Sequence, residues 1–165
     1  FRGLKFKELD NRMLLYPNLP SVRALRPGSF AVSAPADIEA RLSGQALAEY
    51  TAHRSIPWLR FAAFGDAKEA CLAIYKPVRV KRLPVAWVMH VSSSAAFERL
   101  GGLLRQHLLL RHGFVGMRIE SRWLSPGAAR GAHTLQRRQP KLYMSKTLAQ
   151  ADIHDVYSEL MSLDV

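Results

Sequence analysis

The sequence predicts an α/β domain built on a mixed, mostly antiparallel sheet flanked by helices, and three observations predict it. Three apolar segments, "WLRFAAF", "ACLAIYKPVRV" and "PVAWVMHV", succeed one another between residues 58 and 91 with turn residues between them. One long amphipathic pattern follows over 94–112, with Phe97, Leu100, Leu104 and Leu108 on a single helical stripe. Directly after it, "FVGMRIESRWL" returns to strand alternation. Val115, Met117, Ile119 and Trp123 fall on one face, and Arg118, Glu120 and Arg122 on the other.

The elements can be justified in order. Residues 1–28 are interrupted by "YPNLP" and "RPG" and read as an extended lead-in holding short elements. "SFAVS" (29–33) alternates as a short strand. Two helical patterns come next, "PADIEARL" (35–42) and "QALAEYTAHRS" (45–55), separated by Ser43-Gly44 and ended before Pro57. In "GDAKE", Gly65-Asp66 supplies the turn between the first and second of the three strands. The third strand, 84–91, is apolar at almost every position, as a strand covered on both faces would be. It runs into Ser92, Ser93 and Ser94, one of which must cap the 94–112 helix. Gly113 supplies the C-cap. "SPGAARGAHTLQRRQP" (125–140) has the composition of a mobile basic loop, and "KLYMS" (141–145) that of a short strand. Thr147 and Gln150 form a capping box ahead of a last helix with Ile153, Val156, Leu160 and Leu163 on one face. The whole reads as a single domain over 1–165. A chain that opens on Phe1 without a signal-peptide pattern is expected to be a fragment of a longer polypeptide, or a mature or trimmed form.

Composition narrows the function classes. Hydrophobic residues make up 48% and charged residues 22%, a globular balance. No run of about eighteen apolar residues occurs, so a cytoplasmic location without a membrane span is expected. The single cysteine, Cys71, excludes an internal disulfide, and its setting in "ACLAIY" is that of a buried structural thiol. Six histidines are scattered, with neither HExxH nor a cysteine partner, so no metal is expected. The formal charge of +11 is unevenly placed: residues 1–69 net +3, 70–140 net +10 and 141–165 net −2. Such a concentrated excess draws anions, either nucleic acid or a phosphorylated cofactor, although a generally Arg-rich surface accounts for it as well.

The order of strand, two helices, three-strand meander, helix and strand over about residues 29–124 resembles that of the GNAT superfamily of acyl-CoA N-acyltransferases. "RGLKF…YPNLPSVRALRPGSF" and "KLYMSKTL…DIHDVYSELMSL" are similar to the C-terminal half of bacterial two-part acyltransferase-like proteins. The resemblance implies a GNAT-like sheet, acyl-CoA as co-substrate, and a small-molecule or peptide amine as acceptor. It also implies an N-terminal GNAT-like half or a second copy as partner. In the family, the helix after the fourth strand holds the CoA pyrophosphate, with Gln/Arg-x-x-Gly-x-Gly/Ala at its start. Here Arg99-Leu100-Gly101-Gly102-Leu103-Leu104 stands nearest, with Leu104 where the family has a small residue. Cofactor contacts are thus implied at Val91, Ser92, Ser93, Arg99, Gly101 and Gly102, with the free N–H groups of the helix start facing phosphate and Arg105 nearby. Read by itself, Gly101 lets the helix lie close to the sheet. Gly102, on the Glu98/Gln106 side, reads either as close approach of a ligand or as a tolerated cost.

Acyl transfer to an amine needs a proton acceptor, a polarised thioester carbonyl and an acid for the departing thiolate. His90 is the only polar residue in "PVAWVMHV" and is expected on the face of Ala86 and Val88, as base or as a hydrogen-bonded structural histidine. Glu120, between Arg118 and Arg122, is a candidate catalytic carboxylate or a rung of a charge ladder. Tyr143 is a candidate acid; Tyr157 is expected to pack. Without G-x-S-x-G or a Ser/His/Asp arrangement, a hydrolase is not expected. The family closes its sheet with a helix and two more strands, which residues 125–165 do not offer. A noncatalytic GNAT-like half, structural or acyl-CoA-binding, therefore stands beside the enzyme. A basic nucleic-acid-binding domain is a third reading. It is disfavoured because Trp87 and Trp123 lie in apolar strand patterns and no nucleic-acid motif occurs.

Overall fold

Seven strands form one sheet in the computed structural model, which describes residues 13–19, 27–124 and 133–134. All of these belong to one compact unit, Asn11–Arg138. The elements in chain order are β1 (Met13–Pro17), β2 (Phe30–Val32), α1 (Pro35–Arg41), α2 (Gly44–His53), β3 (Arg60–Gly65), β4 (Ala70–Val80) and β5 (Leu83–Val91). Then come α3 (Ser94–His112), β6 (Gly116–Glu120), a 3-10 turn (Ser121–Trp123) and β7 (His133–Thr134). Across the sheet the order is β2-β3-β4-β5-β6-β1-β7. Only β5 and β6 run parallel; the other neighbours are antiparallel. The molecule is therefore α/β, with a mixed and mostly antiparallel sheet flanked by helices.

The turn chemistry read from the sequence is realised locally. Asp66 Oδ1 accepts from the Lys68 and Glu69 N–H groups at 2.9 and 3.1 Å, closing the β3–β4 turn. Gly65 is obligatory there, because a Cβ would sit 2.3 Å from the Glu69 carbonyl oxygen. Ser93 is the N-cap of α3, its hydroxyl accepting from the Ala96 N–H at 3.1 Å. Gly113 ends α3 in the left-handed region at φ 69°, its N–H turned back to the carbonyls of Leu108 and Leu109.

Helices cover both faces. Phe61 and Phe64 lie three apart on β3 and so point to opposite sides. Tyr50 of α2 meets Phe61 edge-on at 5.2 Å, and Phe97 of α3 meets Phe64 at 6.4 Å. Between these layers, Cys71 to Tyr75 of β4 are buried without a break.

Four expectations need correction. One of the short elements expected in the lead-in belongs to the sheet itself, which the expected order left out: β1 pairs with β6 on one side and β7 on the other, and its buried Leu14 and Tyr16 pack on the α3 face, where Tyr16 meets Phe97 at 6.3 Å. The 125–140 segment is not wholly loop, since His133 and Thr134 pair with Leu15 and Leu14. The strand after α3 stops at Glu120, and the turn that follows carries Trp123 away from the Met117/Ile119 face. Finally, His90 does not share a face with Val88. Tyr75 pairs with Val88 but Ile74 pairs with His90, so Met89 is an extra residue in β5. Adjacent residues of β4 face opposite ways, and the bulge carries that reversal to β5. The 141–145 strand, the last helix, Tyr143 and Tyr157 lie outside the described residues, as does the side chain of Arg122.

Candidate active site

The bulge at Met89 creates a place where chemistry-bearing side chains converge beside backbone that no described residue pairs on the β6 side. The parallel ladder between β5 and β6 ends at Val88↔Ile119. Beyond it, Met89, His90 and Val91 remain strand on the β4 side, where Ile74 and Ala73 pair with His90 and Val91. Toward β6 they have no registered partner among the described residues. By reversing its face, the bulge turns His90 toward α2, the side already bearing Trp87, Arg118 and Glu120.

His90 Nε2 lies 2.9 Å from Glu49 Oε2 of α2, and Gln45 Nε2 donates to the other oxygen, Oε1, at 3.0 Å. The Trp123 ring stands edge-on to His90 at 4.9 Å, which is how the 3-10 turn is used. Burial alone would raise the Glu49 carboxyl; the hydrogen bond and charge of His90, with the Gln45 bond, outweigh it and hold the carboxyl below its ordinary value. Glu49 is thus a fixed negative charge that orients the imidazole. When Nε2–H is donated to it, Nδ1 is the nitrogen left to accept a proton. Glu120, one position beyond the last β5–β6 pair, is buried on this same face. Burial lowers the Arg118 pKa, and the Glu120 charge works against that shift.

The junction of β5 and α3 is arranged differently from what a phosphate site requires. The Ser92 hydroxyl accepts from the Leu72 N–H at 2.9 Å and so completes the β4–β5 ladder. The Ser93 hydroxyl, besides capping α3, donates to Glu69 Oε1 at 2.7 Å. Arg99 pairs with Asp66 and, at 3.0 Å, with Glu69. Arg105 lies over the Tyr16 ring at 5.4 Å. Gly101 and Gly102 are interior residues of α3, about 10 Å along its axis from Ser94, so their N–H groups belong to the helix ladder and form no phosphate loop. A Cβ on Gly101 would meet the Phe97 ring at 3.4 Å, whereas one on Gly102 would find only Arg105 Nη2 at 4.0 Å. A methyl at Gly101 would thus make ordinary contact with the Phe97 ring of its own helix, and neither glycine is sterically required.

The fit to CoA is accordingly divided. On the side where no described residue pairs with them, Met89–Val91 offer a short strand edge to which a pantetheine arm, with its two amides, can add. At the start of α3, two carboxylates stand where a pyrophosphate would need donors, and the nearest arginines are engaged by Asp66, Glu69 and Tyr16.

Cys71 has no part in this site. It is buried at the β4–α3 junction, its thiol is pushed up to about 11, chiefly by burial, and Ser92 Oγ donates to its sulfur at 3.6 Å. Among the described residues no group of three or more His, Cys, Asp or Glu is placed to hold a metal, and no helix is long and apolar enough to cross a membrane.

No family model, curated protein or solved structure matches this chain.

Of the candidates read from sequence, the structure brings His90 and Glu120 to one face of the sheet end, and groups Val91, Ser92, Ser93 and Arg99 at the neighbouring junction. Glu49 and Trp123 were not recognised as site residues. Glu49 lies 41 positions before its partner, inside an ordinary amphipathic helix pattern, and nothing in the local sequence marks it.

Proposed function

We propose that this domain transfers an acyl group from a thioester donor to an amine at the open end of β5, with His90 as the proton acceptor. One observation carries the reading: the Met89 bulge turns a Glu49-held imidazole to the α2 face of the sheet, on the stretch of β5 that no described residue pairs beyond Val88↔Ile119. The element order, with a parallel strand beside a meander and a helix between them, supports the same reading by its resemblance to acyl-CoA N-acyltransferases.

In this reading the donor's amides pair along Met89–Val91, bringing the thioester carbonyl to backbone donors of β5. An ammonium acceptor loses its proton to His90 Nδ1. The resulting amine attacks the carbonyl carbon, the C–S bond breaks, and the thiolate leaves with the second proton that the nitrogen gives up as the amide forms. The Glu49 charge stabilises the imidazolium formed on the way.

A second reading, a noncatalytic GNAT-like half, is favoured by the start of α3, where Glu69 and Asp66 occupy Ser93 and Arg99. The two are separated by assaying the full chain with acetyl-CoA and with acetyl-pantetheine against a panel of amines. Turnover by wild type, reduced about 100-fold in His90→Gln with donor affinity retained, is expected for general-base chemistry. Acetyl-pantetheine is expected to serve at least as well as acetyl-CoA, because it brings no pyrophosphate to the carboxylates. Absence of turnover and of calorimetric heat with either donor would favour the noncatalytic half.

A further inference from the structure

The far end of the β4–β5 hairpin is a cationic finger that the acyl-transfer reading leaves unused. Between Glu69 and Glu98 the sequence contains no acidic residue. Lys76, Arg79, Lys81 and Arg82 are carried on the last part of β4 and the turn, and among the described residues none of them has a carboxylate partner. The turn between Val80 and Leu83 has only two central residues, Lys81 at φ 49° and Arg82 at φ 71°. Positive φ at both positions is the requirement of a type I′ turn, for which Asn-Gly is the low-strain choice. Two bulky cations are held there instead, in a conformation that L side chains adopt at a cost.

At the base of the same ribbon, Trp87 of β5 and Trp58, in the turn before β3, stand beside cations. Lys76 Nζ stands 5.7 Å from the Trp58 ring centroid and 4.4 Å from that of Trp87; Arg118 lies over Trp87 at 4.7 Å. Trp58 is 37% exposed. An exposed indole beside Lys76, with a basic tip about 16 Å away along β4, matches a chain of phosphates with a stackable ring.

We propose that the β4–β5 hairpin binds single-stranded nucleic acid, with Lys76, Lys81 and Arg82 on phosphates and Trp58 stacking on a base; Arg79, three residues after Lys76, points to the opposite face. A membrane surface is the less suitable occupant, since the tip offers one exposed apolar side chain, Leu83, and little more to insert. The proposal does not rest on acyl transfer and is tested without any thioester.

The test is fluorescence anisotropy of the full chain with a fluorescein-labelled 16-nucleotide RNA, its duplex form, and vesicles containing phosphatidylserine, over a salt series. Three phosphate contacts predict a log–log salt slope of about −2 on the single strand. Lys81→Asn combined with Arg82→Gly restores the low-strain turn. That variant is expected to melt about 2–4 °C higher, yet to bind about 10-fold or more weakly with a slope reduced by about 1 to 1.5. Trp58→Leu should weaken binding about 5- to 100-fold with the slope unchanged. The proposal is overturned by absent binding to the RNA at low salt, by a double variant that binds like wild type, or by equal affinity of Trp58→Leu. Tighter binding to the duplex than to the single strand, or to vesicles in place of RNA, overturns it as well.

Discussion

Replacing Glu49 by Gln removes the charge that faces His90 while keeping a side chain of the same length. The two groups are 2.9 Å apart with side chains 15% and 21% exposed, so their bond is neither fully solvated nor in a dry interior. A hydrogen bond to a charged group contributes about 1.5–3 kcal/mol when well shielded; the residual exposure brings this to about 1 kcal/mol. The pH dependence follows from the Glu49 carboxyl being held below its ordinary value. Such a group stabilises the fold above its unfolded pKa of about 4.3, and the contribution is lost as pH falls through the lower folded value. Urea melts of wild type and Glu49→Gln should therefore differ by about 1 kcal/mol at pH 7 and converge toward pH 3. A double-mutant cycle with His90→Gln at pH 7 should return a coupling of about 0.5–1 kcal/mol. Strict additivity in that cycle, or the same gap at pH 7 and pH 3, would refute the assignment of Glu49 as the charge that holds His90.

Two other outcomes can be checked by melting experiments. Gly102→Ala should stabilise the protein by up to about 1 kcal/mol, because it favours the helix and the new methyl meets only the end of Arg105; a lower Tm would show that the glycine is needed for something the packing does not reveal. His107 is pushed down to about 4, chiefly by burial and further by His112 and Arg111. Since the unfolded ring titrates near 6.5, the unfolded chain takes up a proton that the folded one refuses, and stability should fall as pH drops from about 6.5 toward 4. His107→Leu should flatten that limb of the urea-midpoint profile.

The sequence was legible wherever a rule acts over a few residues. The β3–β4–β5 meander, the 94–112 helix, the serine cap and the Gly113 stop all depend on periodicity or on one residue's backbone preference. The misreadings have a common cause of another kind. Nothing in "WVMHV" announces that Met89 is an extra residue, because the bulge is set by how β5 lies on β4, and one such residue reverses the face of His90. The same holds for Arg99, which a motif assigns to phosphate but whose partners, Asp66 and Glu69, arrive from a turn about thirty residues earlier. Gly101 and Gly102 matched a loop signature in letters, while the hydrophobic stripe through Phe97, Leu100 and Leu104 kept them helical.

Strand β1 is the first of the described strands to be synthesised, and its β6 partner comes much later in the chain. Its ladder joins Met13–Pro17 to Gly116–Glu120, and Asn18 adds a backbone bond to Val115 at 3.0 Å and a side-chain bond to Phe114 at 2.9 Å. About 100 residues separate the two strands, and at about 5–20 residues per second the ribosome needs about 5–20 s to supply the second one. Closing a loop of that length costs about 4 kcal/mol of chain entropy, whereas the β3–β4–β5 meander closes through short turns. Folding is therefore expected to run in two stages, with the meander and α3 forming early and β1 docking as the slow event. Until it docks, β6 presents an open edge to solvent, and the β1 of a neighbouring chain carries the same complementary pattern as its own. The long delay built into this pairing makes strand exchange between copies the expected misassembly when the protein is concentrated before folding is complete.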